Sequence, residues 1–269
     1  MPLTNFSVEI GAVALVLFYV AVARATGNRF RVYQCWALVA AMIVLILTLA
    51  GPIDELEDQR LFTAHMIQHL VLALIIPPLL LLATPDWVLR PLLSIKVVGS
   101  VVRILTYPLV AYLVYNMTLV GMHSPWVFDH MCRDEGLHIA MHLLLLGTAI
   151  LLWWPLLSPL PEFPRISYPA QLLYIFFWLI PMAAVAAPIT MATSVLYPWY
   201  LEGPHPFGIS ALSDQVLGGI AMWVGAGLYV MGIFTTIYFY WAQRDDLDEP
   251  AFNLSANSGI AEEREGFHS

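Results

Sequence analysis

Long apolar runs separated by short polar breaks dominate this chain of 269 residues. Crossing the hydrocarbon core of a bilayer as a helix takes roughly 20 such residues. In lipid the backbone amides must be satisfied inside the segment, which leaves α-helix as the form for runs of that length. Seven runs qualify, over 7–25, 33–50, 61–84, 98–121, 137–157, 168–192 and 213–242. The sequence therefore predicts an all-α, polytopic membrane protein with seven transmembrane helices. They form one domain over 1–243, followed by an acidic flexible tail over 244–269. Pro77, Pro78, Pro181 and Pro188 fall inside runs, where kinks rather than breaks are expected, because neighbours can satisfy the freed carbonyls. The first run follows no basic region and leads to no cleavage pattern, so it reads as a retained span.

Composition agrees. The chain is 60% hydrophobic and 11% charged, against about 45–50% and roughly 25% in soluble domains. A formal net charge of −8 argues against nucleic acid as a partner. Cys35 and Cys132 form no CxxC and suggest no disulfide framework. The breaks after runs one, three and five carry Arg24, Arg29, Arg31, Arg90, Lys96, Arg103 and Arg165, and the tail adds Arg244 and Arg264. Only Arg60 and Arg133 lie on the other side, a split of nine to two. By the positive-inside rule the N-terminus is expected outside and the C-terminus in the cytoplasm.

Within the apolar runs sit two histidine pairs of identical spacing, His65–His69 and His138–His142. Imidazole loses its water partners in lipid, so its presence there needs a reason. Residues four apart share one face of a helix. A lone membrane histidine is most often an interhelical hydrogen-bonding residue, but two pairs at one depth favour a metal or cofactor. Both pairs fall in the outer half of inward-running spans. His123, His130, His205, Met66, Met122, Met131, Met141, Met191 and Cys132 map to the same side. Met66 and His123, with Met122 beside it, are further candidate ligands, although methionine in an apolar chain is usually packing.

Asp214, at the start of the seventh run, can serve as a ligand or orient a ligating imidazole, or it can cap its own helix together with Ser213. Imidazole with thioether suits copper in either oxidation state, Cu(I) or Cu(II). The Trp153-Trp154-Pro155 cluster and Tyr197-Pro198-Trp199-Tyr200 read as interfacial aromatic belts. Gly218-Gly219 and Gly225-x-Gly227 suggest close helix approach and leave a homodimer through the seventh span open.

Several of these segments together resemble a known family. Thr63-Ala64-His65-Met66-Ile67-Gln68-His69-Leu70 ahead of Pro77-Pro78 is similar to the signature of bacterial caa3-type cytochrome c oxidase assembly factors of the CtaG type. The likeness continues through His138-x3-His142 into Trp153-Trp154-Pro155-Leu156, through Leu196-Tyr197-Pro198, and through Ser213-Asp214-Gln215 before Gly218-Gly219-Ile220-Ala221-Met222-Trp223-Val224. It covers about residues 10–242 in order; Gly225 stands where the family pattern often has proline.

The resemblance implies a non-enzymatic assembly factor of the bacterial cytoplasmic membrane that helps deliver copper to the CuB centre. Its partners would be cytochrome c oxidase subunit I, a periplasmic or extracellular copper donor, and membrane lipid. His65, His69, His138 and His142 would carry the metal and Asp214 would position them. Two other classes remain on the residues alone. A b-type haem carrier would use histidines of paired helices as axial ligands. A zinc-dependent intramembrane hydrolase would use HxxxH and a remote Asp, although the HExxH glutamate is absent.

Overall fold

The structure is a computed structural model that describes residues 2–244, with side chains from residue 8. The acidic tail expected beyond Arg244, with His268, lies outside the described residues. Among the described residues there is no strand. The helices are α1 (Pro2–Thr26), α2 (Val32–Leu49), the short α3 (Pro52–Asp58), α4 (Phe62–Ala83), α5 (Asp86–Leu93), α6 (Lys96–Leu105), α7 (Pro108–Met122), α8 (Pro125–Arg133), α9 (Glu135–Leu157), α10 (Tyr168–Met191) and α11 (Ala211–Arg244). Six helical stretches are long and apolar enough to cross a membrane, or seven when α6 and α7 count as one span.

The span expected over 98–121 is bent: α6 and α7 meet at 74°. The cause is Pro108. The residue before a proline is pushed out of the helical region, and Tyr107 takes φ −61°, ψ 130°. On α6, Lys96, Ser100 and Arg103 fall on one face and the exposed Val97, Val101 and Ile104 on the next, the pattern of a helix lying along an interface.

The prolines of the other spans show how a membrane bundle tolerates missing amides. Pro77 and Pro78 deprive the carbonyls of Ala73 and Leu74, four residues earlier, of their helical donors. The Trp153 indole N–H donates to Ala73 O at 2.9 Å, and the Tyr229 hydroxyl donates to Leu74 O at 3.0 Å. The helix widens into a π-turn over Val71–Ile75 and continues. Pro181 leaves Phe177 O to be met in the same way by the Tyr112 hydroxyl at 3.0 Å. Trp153 is 3% exposed, which corrects its assignment to an interfacial belt. Its N–H is needed at a proline-freed carbonyl inside the bundle, not at the lipid headgroups.

The main core is shared by α4, α9, α10 and α11. Gly218 and Gly219 supply the close approach their pairing suggests. A Cβ on Gly218 would stand 2.5 Å from the Phe62 ring and 3.1 Å from Met66, and one on Gly219 would strike the Thr190 hydroxyl. Gly225 and Gly227 face open space. α1 and α2 pack on the periphery, around a small separate cluster of Ala12, Ala41 and Met42.

Replacing Trp153 by Phe removes the indole donor to Ala73 O while keeping most of the ring's volume. It is expected to cost about 1–3 kcal/mol, the penalty of an unpartnered buried polar group. Thermal unfolding in detergent should show a lower midpoint for W153F and an unchanged one for Y238F, whose ring is 47% exposed.

Candidate metal centre

The N-terminal turn of α4 is built to hold two histidines in place. Its first free amides need acceptors, and Asp214 of α11 provides them. One carboxylate oxygen accepts from Phe62 N, the other from Thr63 N at 3.0 Å and from the Thr63 hydroxyl at 2.6 Å. α11 has its own cap in Ser210, whose hydroxyl accepts from Ser213 N at 3.2 Å. Neither Asp214 nor Ser213 therefore caps the seventh span; the carboxylate caps its neighbour, where the positive end of the α4 dipole favours it. Asp214 has no hydrogen bond to an imidazole among the described residues, and it acts by anchoring the helix that bears His65 and His69.

One turn further along α4, His65 and His69 face α9 and the end of α7. Five imidazoles meet there: His65 and His69 from α4, His123 from the C-terminus of α7, and His138 and His142 from α9. Ring centroids are 4.9 Å apart for His65–His138, 5.7 Å for His65–His142, 5.1 Å for His69–His142 and 5.4 Å for His69–His123. With metal–imidazole bonds of about 2.0 Å, two rings sharing a tetrahedral ion have centroids roughly 5 Å apart. Ligand atoms of His65, His138 and His142 all lie within 4.8 Å of one another.

The hydrogen bonds assign tautomers, since a nitrogen that faces an acceptor carries the proton. His123 Nδ1–H donates to Leu119 O at 2.8 Å, which leaves the lone pair on Nε2. His65 Nδ1 lies 2.9 Å from the Tyr200 oxygen and 3.4 Å from the Glu57 carboxylate; the carboxylate can only accept, and with the proton on Nδ1 the His65 lone pair falls on Nε2. His69 then donates through Nε2 to His65 Nε2 at 2.9 Å, and its own lone pair is on Nδ1. Among the described residues eight buried side-chain N or O atoms have no hydrogen-bond partner, and four belong to this cluster: His69 Nδ1, His123 Nε2, His138 Nε2 and His142 Nε2. Each such atom costs about 1–3 kcal/mol. A cation on those nitrogens would offset that cost, so the donor set fits a metal.

The remaining candidates differ in setting. Met66 and Met122 are fully buried in the apolar core, and Met66 packs against Gly218. His130 is exposed, donates through Nδ1 to Trp126 O at 2.7 Å and stacks on the Trp126 ring. His205 sits in the loop before α11 with φ 51°. Cys132 is half-buried, 3.9 Å from the Tyr200 hydroxyl; burial holds its thiol well above the ordinary value, which disfavours the thiolate that would bind metal.

Tyr200 and Glu57 were not singled out from sequence. Tyr200, like Tyr197, belongs to the supposed aromatic belt, yet both rings are buried. The Tyr197 hydroxyl donates to His123 O at 3.0 Å. The loop bearing them is clamped from outside the spans. Arg133 pairs with Asp129 and Glu202 at 2.8 Å each, Arg60 stacks 3.7 Å over the Trp199 ring, and Asp129 accepts Trp199 N at 2.8 Å. Burial pulls the Asp129 carboxyl upward, but Arg133 and the Trp199 amide outweigh it and hold it below its ordinary value. The clamp is thus complete at neutral pH and weakens only as pH falls through that depressed value.

A cavity of about 820 Å³ opens beside the cluster. His138 and His142 line it with Asp54, Glu57 and Glu135, and the apolar flanks of α1, α2 and α9 close its other end. His65, His69 and His123, at 0%, 3% and 5% exposure, lie behind them.

Fold and site together define a polytopic helical membrane protein with a buried set of imidazoles able to hold a metal. The chain belongs to the family described as cytochrome c oxidase caa3 assembly factor, whose pattern matches residues 14–244. That description is of an assembly role rather than of catalysis. Three mycobacterial proteins described as uncharacterised are similar to it, from Mycobacterium leprae, Mycobacterium bovis and Mycobacterium tuberculosis. Each is 25% identical over 265 residues, covering 90% of this chain and 40% of the relative. The chain thus spans about 40% of the length of these curated relatives. No solved structure matches it.

Asp214→Ala should leave the first amides of α4 without an acceptor and lower stability by about 1–2 kcal/mol, the cost of a lost cap. Thermal unfolding of D214A against S210A checks this. The first loosens the histidine helix and should quicken hydrogen exchange at Thr63 and His65; the second should do so only near Ser213.

Proposed function

We propose that the protein binds copper on its paired HxxxH histidines and passes it to the CuB centre of a haem-copper oxidase, on oxidase subunit I. The observation that carries this reading is the set of four buried, unpartnered imidazole nitrogens, in a chain whose family is described by oxidase assembly. Imidazole is a borderline donor that accepts copper in both oxidation states, and CuB is itself held by histidines, so transfer is ligand exchange between like sites. The cargo arrives at the outer face, by the charge asymmetry of the loops, from a periplasmic or extracellular donor.

His138 and His142 line the cavity and meet the ion first; the carboxylates of Asp54, Glu57, Asp58 and Glu135 outnumber the two cations, Arg60 and Arg133, in the same lining and favour a cation there. Glu57 and Tyr200 hold His65 Nδ1–H, which turns its Nε2 lone pair inward and makes it a stronger donor. Asp214, on α11, fixes the first turn of α4, the helix that carries both histidines. When bound, copper supplies only its ligand-exchange chemistry; no covalent step is asked of the protein. A haem would need a flat open slab between axial imidazoles, whereas the five rings here are packed at centroid distances down to 4.3 Å.

Protein purified from cells, or loaded with Cu(I) and with Cu(II), is expected to carry about one or two copper ions per chain. His65→Ala combined with His69→Ala should abolish most of this. A strain making only that variant should assemble oxidase with haem but without CuB. Absence of copper under both loading conditions, zinc in its place, or a Soret band in clean protein would overturn the reading.

A further inference from the structure

Five imidazoles are more than one copper ion uses, and their lone pairs divide into two groups. His65, His138 and His142 form one group, with a ligand atom of each within 4.8 Å of the others, and two of its rings line the cavity. His69 Nδ1 and His123 Nε2 form the other. Both atoms are buried and unpartnered, both rings are at least 95% buried, and their centroids are 5.4 Å apart at 82°.

We infer that the cluster holds two ions at once: an outer, exchangeable ion on His65, His138 and His142, and an inner, retained ion bridged by His69 and His123. The inference rests on the copper reading above and goes beyond it by separating the cargo from an ion that stays.

The inner pair is closed off by aromatic rings. Phe128 lies 6.0 Å from His123, 6.4 Å from His69 and 5.1 Å from His65, and Tyr197 packs on Phe128 at 4.3 Å. Neither inner histidine lines the cavity. The His123 ring is fixed by its bond to Leu119 O, and the carbonyl of His123 is held by the Tyr197 hydroxyl.

Two nitrogen donors in a dry setting suit Cu(I), which binds with fewer ligands than the four that zinc takes in structural sites, and the 5.4 Å between the ring centroids corresponds to a bent pair. Two monovalent ions also repel one another less than two divalent ones. An outer ion on His65 Nε2 would take the lone pair that His69 Nε2 now contacts, leaving the His69 ring free to adjust toward His123, whose centroid is 5.4 Å away. Exchange at the outer position and retention at the inner one follow from burial, because a ligand that water or a partner's imidazole cannot reach cannot be displaced by either.

The test uses the full chain in lipid nanodiscs, saturated anaerobically with Cu(I), desalted, counted by elemental analysis and then challenged with a Cu(I)-specific chromogenic chelator. Wild type should retain about two ions per chain and release them in two phases differing at least ~10-fold in rate. His123→Ala should retain one ion and lose the slow phase. His138→Ala combined with His142→Ala should retain one ion and lose the fast phase, and it decides the matter if H123A does not fold. One ion released in a single phase from wild type, with H123A indistinguishable from it, overturns the inner position and leaves copper carriage standing. A doubly substituted protein that keeps no slow ion also overturns the inner position. No copper on wild type overturns both.

Discussion

The carboxylate of Asp214 is the fixed point of this bundle. It sits on the last helix, yet it satisfies the first amides of the third long one, and the two helices meet where Gly218 admits the Phe62 ring. A helix end buried in an apolar setting cannot leave its amides unpaired. Here the partner is a single side chain some 150 residues away in sequence. Because α4 is held at its N-terminus, the rotation of its first turns is held too, and with it the direction in which His65 and His69 point. Gln68, between them, ties the same turn to Thr48 O and Asp54.

The same logic recurs through the membrane-spanning part. Every proline that interrupts a span frees a carbonyl, and at Ala73, Leu74 and Phe177 an aromatic donor from another helix answers it. These bonds join α4 to α9, α4 to α11 and α10 to α7. Pro77, Pro78 and Pro181 thus do more than bend their helices: each leaves an acceptor that a donor on one neighbouring helix satisfies. In a medium where apolar contacts scarcely distinguish protein from lipid, such obligatory pairs give the bundle its register.

Much of this was legible in the sequence. The long apolar runs, the two HxxxH pairs and the close approach at Gly218-Gly219 each follow from local patterns with one physical reading. What was not legible turned on side chains with two chemistries. Trp153 and Tyr200 carry an apolar ring and a polar edge, and such residues suit a membrane interface as well as a buried carbonyl or imidazole. Tyr107-Pro108 signals a break, but hydropathy averaged over 98–121 passes across it. Asp214 reads as a cap from its position, yet position does not say whose helix it caps. Glu57 lies in a short polar break whose acidic residues look alike in sequence, although an acidic segment just ahead of a histidine-bearing helix is a natural mouth for a cation. His123 stood out less than the paired histidines because it has no partner one turn away on its own helix.

The imidazoles come from three separate elements, α4, the end of α7 and α9, and this gives the bundle an unusual property. An ion shared among them would be a crosslink between segments that otherwise meet mainly through apolar side chains and the Trp153–Ala73 hydrogen bond. Filling the cluster would therefore stiffen three helices at once, in proportion to how tightly the ion is held, and emptying it would let them relax. Mechanical rigidity at the membrane surface would then report whether cargo is aboard. A partner that docks only on the stiff form would engage a full carrier and let an empty one go, with no sensor needed beyond the ligands themselves.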